Sequence, residues 1–206
     1  MQRRGNKWSL LALMLCLSAV AGPSEDAGEP LVLMVLGRSY TALELGLSAN
    51  ASECRDLEPL TKAIIGPLFA DYITENRLSV SDEELRDFCR RQLPEGELFS
   101  EVWAEWSSHG ARWRERQEAV MQLTVWKLQL SLFNRYGGRV TKTPGVQPQA
   151  YDAMFAYIAE RGKAGDVIFF DDHLELRFWE CFRQPSAPLL SEEEGRPLLE
   201  ANPAGE

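Results

Sequence analysis

ARWRERQEAVMQLTVWKLQLSLFNRY, residues 111–136, is free of glycine and proline, and Gly137-Gly138 closes it. That pattern predicts one helix from about Ala111 to Tyr136 with a glycine stop. Its first third is charged. Beyond it, Ala119, Val120, Leu123, Trp126, Leu130 and Phe133 form one apolar stripe, while Met121, Val125, Leu128 and Leu132 form another. A helix that is apolar on two sides has to be surrounded, either by its own domain or by a partner. The fold expected around it is mainly α.

The flanking sequence supplies the elements that could surround it. Leu60, Ile64, Leu68, Tyr72 and Ile73 recur at helical spacing between Glu58 and Arg77, with Pro59 in the first turn. Gly66-Pro67 interrupts this run, because proline lacks an amide hydrogen and crowds the preceding turn, so a kinked helix or two short ones is expected. Ser81 and Glu84 form a capping box for a helix over 82–92, with Leu85 and Phe88 inward, ended by Pro94-Glu95-Gly96. Leu98, Phe99, Val102, Trp103 and Trp106 mark a further helix that stops at His109-Gly110. After Pro144-Gly145, Pro148 opens a helix with Tyr151, Met154, Phe155 and Ile158 on one face, ending at Gly162. Asp171 or Asp172 caps a last one, with Leu174, Phe178, Trp179 and Phe182 inward.

Strand signals are few. Leu31–Leu36 is an apolar run too short for a helix and ended by Gly37, so it reads as a buried strand. Val167–Phe170 is a second extended piece that could pair with it. Gly37-Arg38-Ser39 reads as a turn, and the Thr41/Glu44 capping box predicts a helix starting at Ala42.

The two ends differ from this middle. Arg3, Arg4 and Lys7 precede the apolar run Trp8–Val20, and Ala19-Val20-Ala21 offers small residues for cleavage, so residues 1–21 read as a secretory signal peptide. The run is shorter than the ~20 residues that cross a bilayer core, which argues against stable membrane insertion. A periplasmic or secreted location is expected. Residues 22–30 read as a flexible linker, residues 31–183 as the helical domain, and residues 184–206, rich in proline and glutamate, as a disordered acidic tail.

Across 206 residues, 22 basic residues face 31 acidic ones, a net charge of −9. Loss of residues 1–21, with three basic and no acidic side chains, would lower that charge by a further three. No basic run alternates with aromatics, so nucleic acid is an unsuitable partner. Cys54, Cys89 and Cys181 would remain, allowing at most one internal disulfide, whose pairing the sequence leaves open. No Cys-x-x-Cys, Gly-x-Ser-x-Gly or phosphate-loop motif is present, and the two histidines, His109 and His173, lack a third ligand at suitable spacing. Asp82-Glu83-Glu84 and Asp171-Asp172 sit at helix starts, where carboxylates are favoured by capping and by the helix dipole. No catalytic residue, metal or cofactor is expected.

The functional content of the sequence is aromatic. Phe69, Tyr72, Phe99, Trp103, Trp106, Trp126 and Phe133 concentrate in the middle helices. They are either core, a dimer interface, or the lining of a groove for apolar segments of another chain.

The order of strand, Gly37, Tyr40-Thr41 and Glu44-Leu45 resembles the opening of the SurA N-terminal domain family. Leu68, Tyr72-Ile73, Asn76-Arg77-Leu78, Val80 and Ser81-Asp82-Glu83-Glu84-Leu85 resemble the helix, loop and helix start that follow in that family. The resemblance covers residues 31–92; residues 111–183 are similar only as long helices that return onto the first ones. It implies a SurA-N-like helical domain with one or two short strands, acting as a periplasmic chaperone that holds unfolded or nascent envelope polypeptides. The family is often joined to parvulin-type peptidyl-prolyl isomerase domains, but no such catalytic domain is recognisable here. The expected function is therefore non-catalytic peptide binding. An assembly protein for one fixed partner, a homodimer, or a divergent isomerase-family member are the alternatives.

Overall fold

Leu31–Val35 forms strand β1, and a two-residue turn carries it straight into β2, Arg38–Thr41, in the computed structural model, which describes residues 29–47, 53–93, 96–108, 112–142, 147–185 and 187–201. The expected signal segment, 1–21, and the linker up to residue 28 lie outside the described residues. The turn residues Leu36 and Gly37 both have positive φ, 48° and 79°, the geometry that matches the twist of a tight antiparallel hairpin. Glycine adopts it freely, whereas leucine does so against a steric penalty. The stretch after Gly37 is thus a strand, where a turn was expected.

The Thr41/Glu44 box forms as the sequence suggests. Thr41 N donates to Glu44 Oε2 (2.8 Å), and Glu44 N donates to Thr41 Oγ1 (3.2 Å). No helix grows from it. Gly46 takes φ +62°, Leu47 N returns to the Ala42 carbonyl at 2.9 Å, and the chain reverses after one turn.

A 3₁₀ turn at Cys54–Leu57 leads into α1 (Glu58–Glu75), one helix that continues through Pro67 rather than two. Then come α2 (Asp82–Gln92), α3 (Phe99–Ser107) and α4 (Trp113–Tyr136), followed by β3 (Val140–Thr141), α5 (Tyr151–Lys163), β4 (Val167–Phe169) and α6 (Asp172–Phe182). The fold is mainly α. β4 pairs antiparallel with β1, with Leu33 opposite Phe169 and Val35 opposite Val167, giving a three-stranded sheet in the order β2-β1-β4. Five short strands are present among the described residues, where one or two were expected.

The expectation of a disordered tail over 184–206 is overturned for residues 187–201. Residues 189–190 form β5, paired with β3, and Glu192–Glu200 forms α7. Ser191 and Glu194 make a capping box at the helix start. Leu199 is 1% exposed in the core, Trp126 Nε1 donates to its carbonyl at 2.7 Å, and Gly138 N donates to Glu192 Oε2 at 3.1 Å. The burial of Leu199 and a pairing strand offset the acidic composition that suggested disorder. A disulfide joins Cys54 to Cys181, and Cys89 remains a buried free thiol.

Two apolar clusters result. The larger gathers the sheet, α1, α5, Phe178 of α6, Leu199 of α7 and the C-terminal half of α4 through Leu128, Leu132 and Phe133. The smaller is built from Leu85, Phe88 and Cys89 of α2, Val102 and Trp106 of α3, and Ala119 and Leu123 of α4. At 24 residues, α4 is about 36 Å long and reaches both. Its two stripes are enclosed by the chain's own elements, the N-terminal half by the small cluster and the C-terminal half by the large one.

Candidate functional site

The seven aromatic residues singled out in the sequence separate into two groups. Phe69 and Tyr72 on α1 and Phe133 on α4 are buried in the large cluster, with the Tyr72 hydroxyl 3.0 Å from Ser131 Oγ. Closed off from solvent, they line no surface. The other four belong to the small cluster. Trp106 is buried there, Phe99 and Trp103 are half-buried against it, and Trp126 packs on its edge while its indole nitrogen is committed to α7.

Phe99 and Trp103 stand one helical turn apart on α3, their rings 6.0 Å between centroids and nearly parallel. Arg86 and Arg90 stand one turn apart on α2, and their guanidinium groups lie over Trp103 (5.1 Å) and Phe99 (4.6 Å) respectively. Two i,i+4 ladders thus face each other, each cation over the negative face of a ring. Leu98, next to Phe99 in the chain, is 61% exposed, and Trp113 at the start of α4 is 39% exposed. The outward side of the small cluster is therefore an apolar and aromatic surface with cationic edges.

A cleft of about 300 Å³ lies at the corner where α2, α3 and the start of α4 meet. Phe88, Leu93, Val102 and Ala119 give it apolar walls, Cys89 and Trp106 its depth, and Gln92, Gln122, Arg112, Glu115 and Glu118 the polar part of its lining. Arg112 is held by its neighbours: its guanidinium makes two hydrogen bonds to the Glu97 carboxylate, one of 2.9 Å, and approaches Glu105 Oε2 at 3.3 Å. This pairing keeps the Glu97 carboxyl below the usual carboxylate range. Burial pushes the Cys89 thiol above its ordinary pKa, and the Glu115 carboxylate adds to the rise, so the sulfur stays protonated and unreactive at neutral pH. At the other end of the cluster, Lys127 Nζ donates to the Ser79 carbonyl and to Glu84, tying α4 to the start of α2. Although burial raises the Glu84 pKa, its hydrogen bonds from Lys127 and Ser81 outweigh that and leave it lowered.

Nothing in this arrangement pairs a nucleophile with a base. Among the described residues no group of three or more His, Cys, Asp or Glu side chains is placed to hold a metal ion, and no helix is long and apolar enough to cross a membrane. Asp171 is occupied as a helix cap, accepting from the amides of His173 and Leu174, and His109 lies outside the described residues. The site offers rings, aliphatic surface, a cleft and an arginine paired with Glu97 and Glu105.

The sequence pointed to Phe99, Trp103 and Trp106 but not to the arginines that cover the first two, nor to Leu98, Arg112 or Gln122. The matching four-residue spacing of Arg86/Arg90 and Phe99/Trp103 was the available signal. Compared with family models, with curated proteins and with solved structures, the chain matches none.

Proposed function

We propose that this protein is a non-catalytic holding module, exported from the cytoplasm, that binds unfolded or assembling envelope polypeptides through the outer face of its small helical cluster. The observation that carries the reading is the exposure of Leu98 next to Phe99, where the half-buried rings of Phe99 and Trp103 pack on a cluster separate from the main core. Large apolar side chains at one exposed place mark an interaction site more often than a solvated face. The rings with overlying arginines suit varied sequences, because they make dispersion and cation–π contacts without demanding a fixed hydrogen-bond pattern. The signal-like segment 1–21 and the resemblance to the SurA N-terminal domain family support the location and the client class.

The test is suppression of aggregation of an outer-membrane β-barrel protein diluted from urea, with the holding protein at stoichiometric amounts. The wild type is expected to suppress light scattering. The variant Leu98→Ser is expected to lose much of that protection, with a thermal midpoint within a few degrees of the wild type, since that side chain is 61% exposed. Absence of protection by the wild type, with no binding of the unfolded client, would overturn the reading. Capture of one folded partner, with no affinity for unfolded chains, would replace it with a dedicated assembly role.

A further inference from the structure

The cleft between α2, α3 and α4 joins buried apolar walls to exposed carboxylates. Phe88, Val102 and Ala119, each at most 6% exposed, supply the walls. Glu115 and Glu118, both exposed, belong to the same lining. With Ala119 and Gln122 they occupy positions i, i+3, i+4 and i+7 of α4, so a single face of that helix brings both carboxylates to the cleft. The Trp106 indole nitrogen is shut off from solvent and has no partner, so Trp106 enters only as apolar wall.

The charges at the cleft do not balance. Arg112, the one cation of the lining, is shared: it bonds to Glu97, lies 3.3 Å from Glu105 Oε2 and 4.0 Å from Glu115 Oε2. Glu118 has no hydrogen bond or ion pair among the described residues, and Arg114, one turn before it, does not pair with it. The cations nearby on α2 and α4 are engaged elsewhere, Arg90 with Asp87 at 2.9 Å and Arg116 with Asp82 at 3.7 Å. One guanidinium thus faces four carboxylates, and the two on α4 are the least neutralised.

This combination narrows the occupant. An acidic group meets like charge. A cation pushed in alone would shed its water against Phe88 and Val102 for no return. An aliphatic group with a cation beside it meets neither penalty, because the apolar part is buried while the charge stays hydrated next to Glu115 and Glu118. At about 300 Å³ the cleft is at the lower end of the range for ligand pockets, the size for one side chain.

We propose that the cleft is the residue-selecting subsite of this module: it takes one aliphatic side chain of the client polypeptide that is flanked by basic residues, whose cations pair with Glu115 and Glu118. The proposal rests on the holding function above and deepens it by naming the client segment.

The experiment uses the whole chain and unstructured, fluorescein-labelled twelve-residue peptides that differ only in a central triplet: Lys-Leu-Lys, Gln-Leu-Gln, Glu-Leu-Glu or Lys-Ser-Lys. By fluorescence anisotropy the wild type is expected to bind Lys-Leu-Lys about threefold to tenfold more tightly than Gln-Leu-Gln, with Glu-Leu-Glu weaker still, and about tenfold more tightly than Lys-Ser-Lys. Raising sodium chloride from about 50 to about 500 mM is expected to erase the preference for Lys over Gln and to spare that for Leu over Ser. Glu115→Gln/Glu118→Gln is expected to do the same at low salt, with the thermal midpoint within a few degrees of the wild type because both side chains are exposed. Glu83→Gln/Glu193→Gln, which removes two exposed carboxylates outside the lining, is expected to change none of these ratios. If it weakens Lys-Leu-Lys as much as the α4 pair does, the attraction belongs to the acidic chain as a whole and the subsite is overturned. Indifference of the wild type to the triplet, or no peptide binding by a protein that does protect in the aggregation assay, overturns the subsite and leaves the holding function standing. No binding of any peptide together with no protection overturns both.

Discussion

Breaking the Cys54–Cys181 bridge is the perturbation with the largest calculable effect. The bridge joins the 3₁₀ turn ahead of α1 to the last turn of α6, residues 127 apart in sequence. A loop of that length, released in the unfolded chain, corresponds to about 5 kcal/mol of lost constraint on the chain-entropy relation, and to about 2 to 5 kcal/mol once residual structure in the unfolded state is allowed for. Against the roughly 5 to 15 kcal/mol that holds a domain together, this is a large share. The native contacts of α6 do not depend on the bridge: Phe178 stacks on Phe182 and packs on Phe169, Phe155 meets Trp179, and the Tyr151 hydroxyl donates to the Phe182 carbonyl at 3.0 Å. Cys54→Ala/Cys181→Ala should therefore fold to the same structure and differ in the unfolded state. Equilibrium urea unfolding followed by tryptophan fluorescence is expected to show a midpoint lowered by about 1 to 2 M, with a steeper transition because the unfolded chain is more expanded. Equal midpoints for the two proteins would refute the reasoning, as would a variant whose near-ultraviolet circular dichroism is lost in the absence of urea.

Leu36→Asn should stabilise the protein by about 0.5 to 1 kcal/mol, because asparagine tolerates the positive φ of the hairpin turn and little apolar burial is given up; a lower thermal midpoint would count against the turn geometry. Gly195→Ala, which in an exposed helix would be favourable, should instead cost about 1 to 3 kcal/mol, since a Cβ at that position would lie 2.4 Å from Val140 Cγ2 and push α7 off β3. A neutral or stabilising result by thermal denaturation would show that α7 is not seated as described. The side-chain hydrogen bonds from Arg139 hold the Asp152 carboxyl below the usual aspartate range, so the unfolded chain takes up this proton first on acidification. Its contribution is present above the ordinary value of about 3.9 and is lost as the pH falls from there through the lowered native value. The stability of Asp152→Asn between pH 6 and pH 3 should therefore fall less steeply than that of the wild type, and parallel curves by urea titration would contradict the assignment.

Local signals account for what the sequence made legible. Ser81 with Glu84 and Asp171 before α6 are capping chemistry written in two or three residues, and the helices begin where that chemistry places them. The Thr41/Glu44 box shows the limit of such reasoning: the cap is formed, but Gly46, five residues after Thr41, takes the left-handed conformation and ends the turn after one i→i+4 hydrogen bond, from Leu45 N to the Thr41 carbonyl. α7 was missed in the opposite way. Ser191-Glu192-Glu193-Glu194 is a capping box in plain view, but the helix is held by Trp126, Phe133 and Val140, which lie more than fifty residues upstream. The same holds at the site. Phe99, Trp103 and Trp106 could be named from helical spacing, whereas the burial of Phe69, Tyr72 and Phe133 and the unpartnered nitrogen of Trp106 depend on which helices pack together, a long-range property.

The division of α4 between two clusters also orders events in time. Everything in the small cluster comes from residues 80–126, so a chain made from its N-terminus can assemble it as soon as α4 is half complete. The large cluster cannot close so early, because β1, among the first elements made, waits for β4, some 130 residues later, and α7 arrives last. Contacts close in sequence form faster than contacts far apart, so the half of α4 that carries the small cluster is the early-folding half, and a nascent chain carries a finished helical head on an open body. Until the C-terminal elements are supplied, β1 and β2 present unpaired edges and an uncovered apolar face. During its own synthesis the protein is therefore itself an unfinished chain with apolar surface still to be covered.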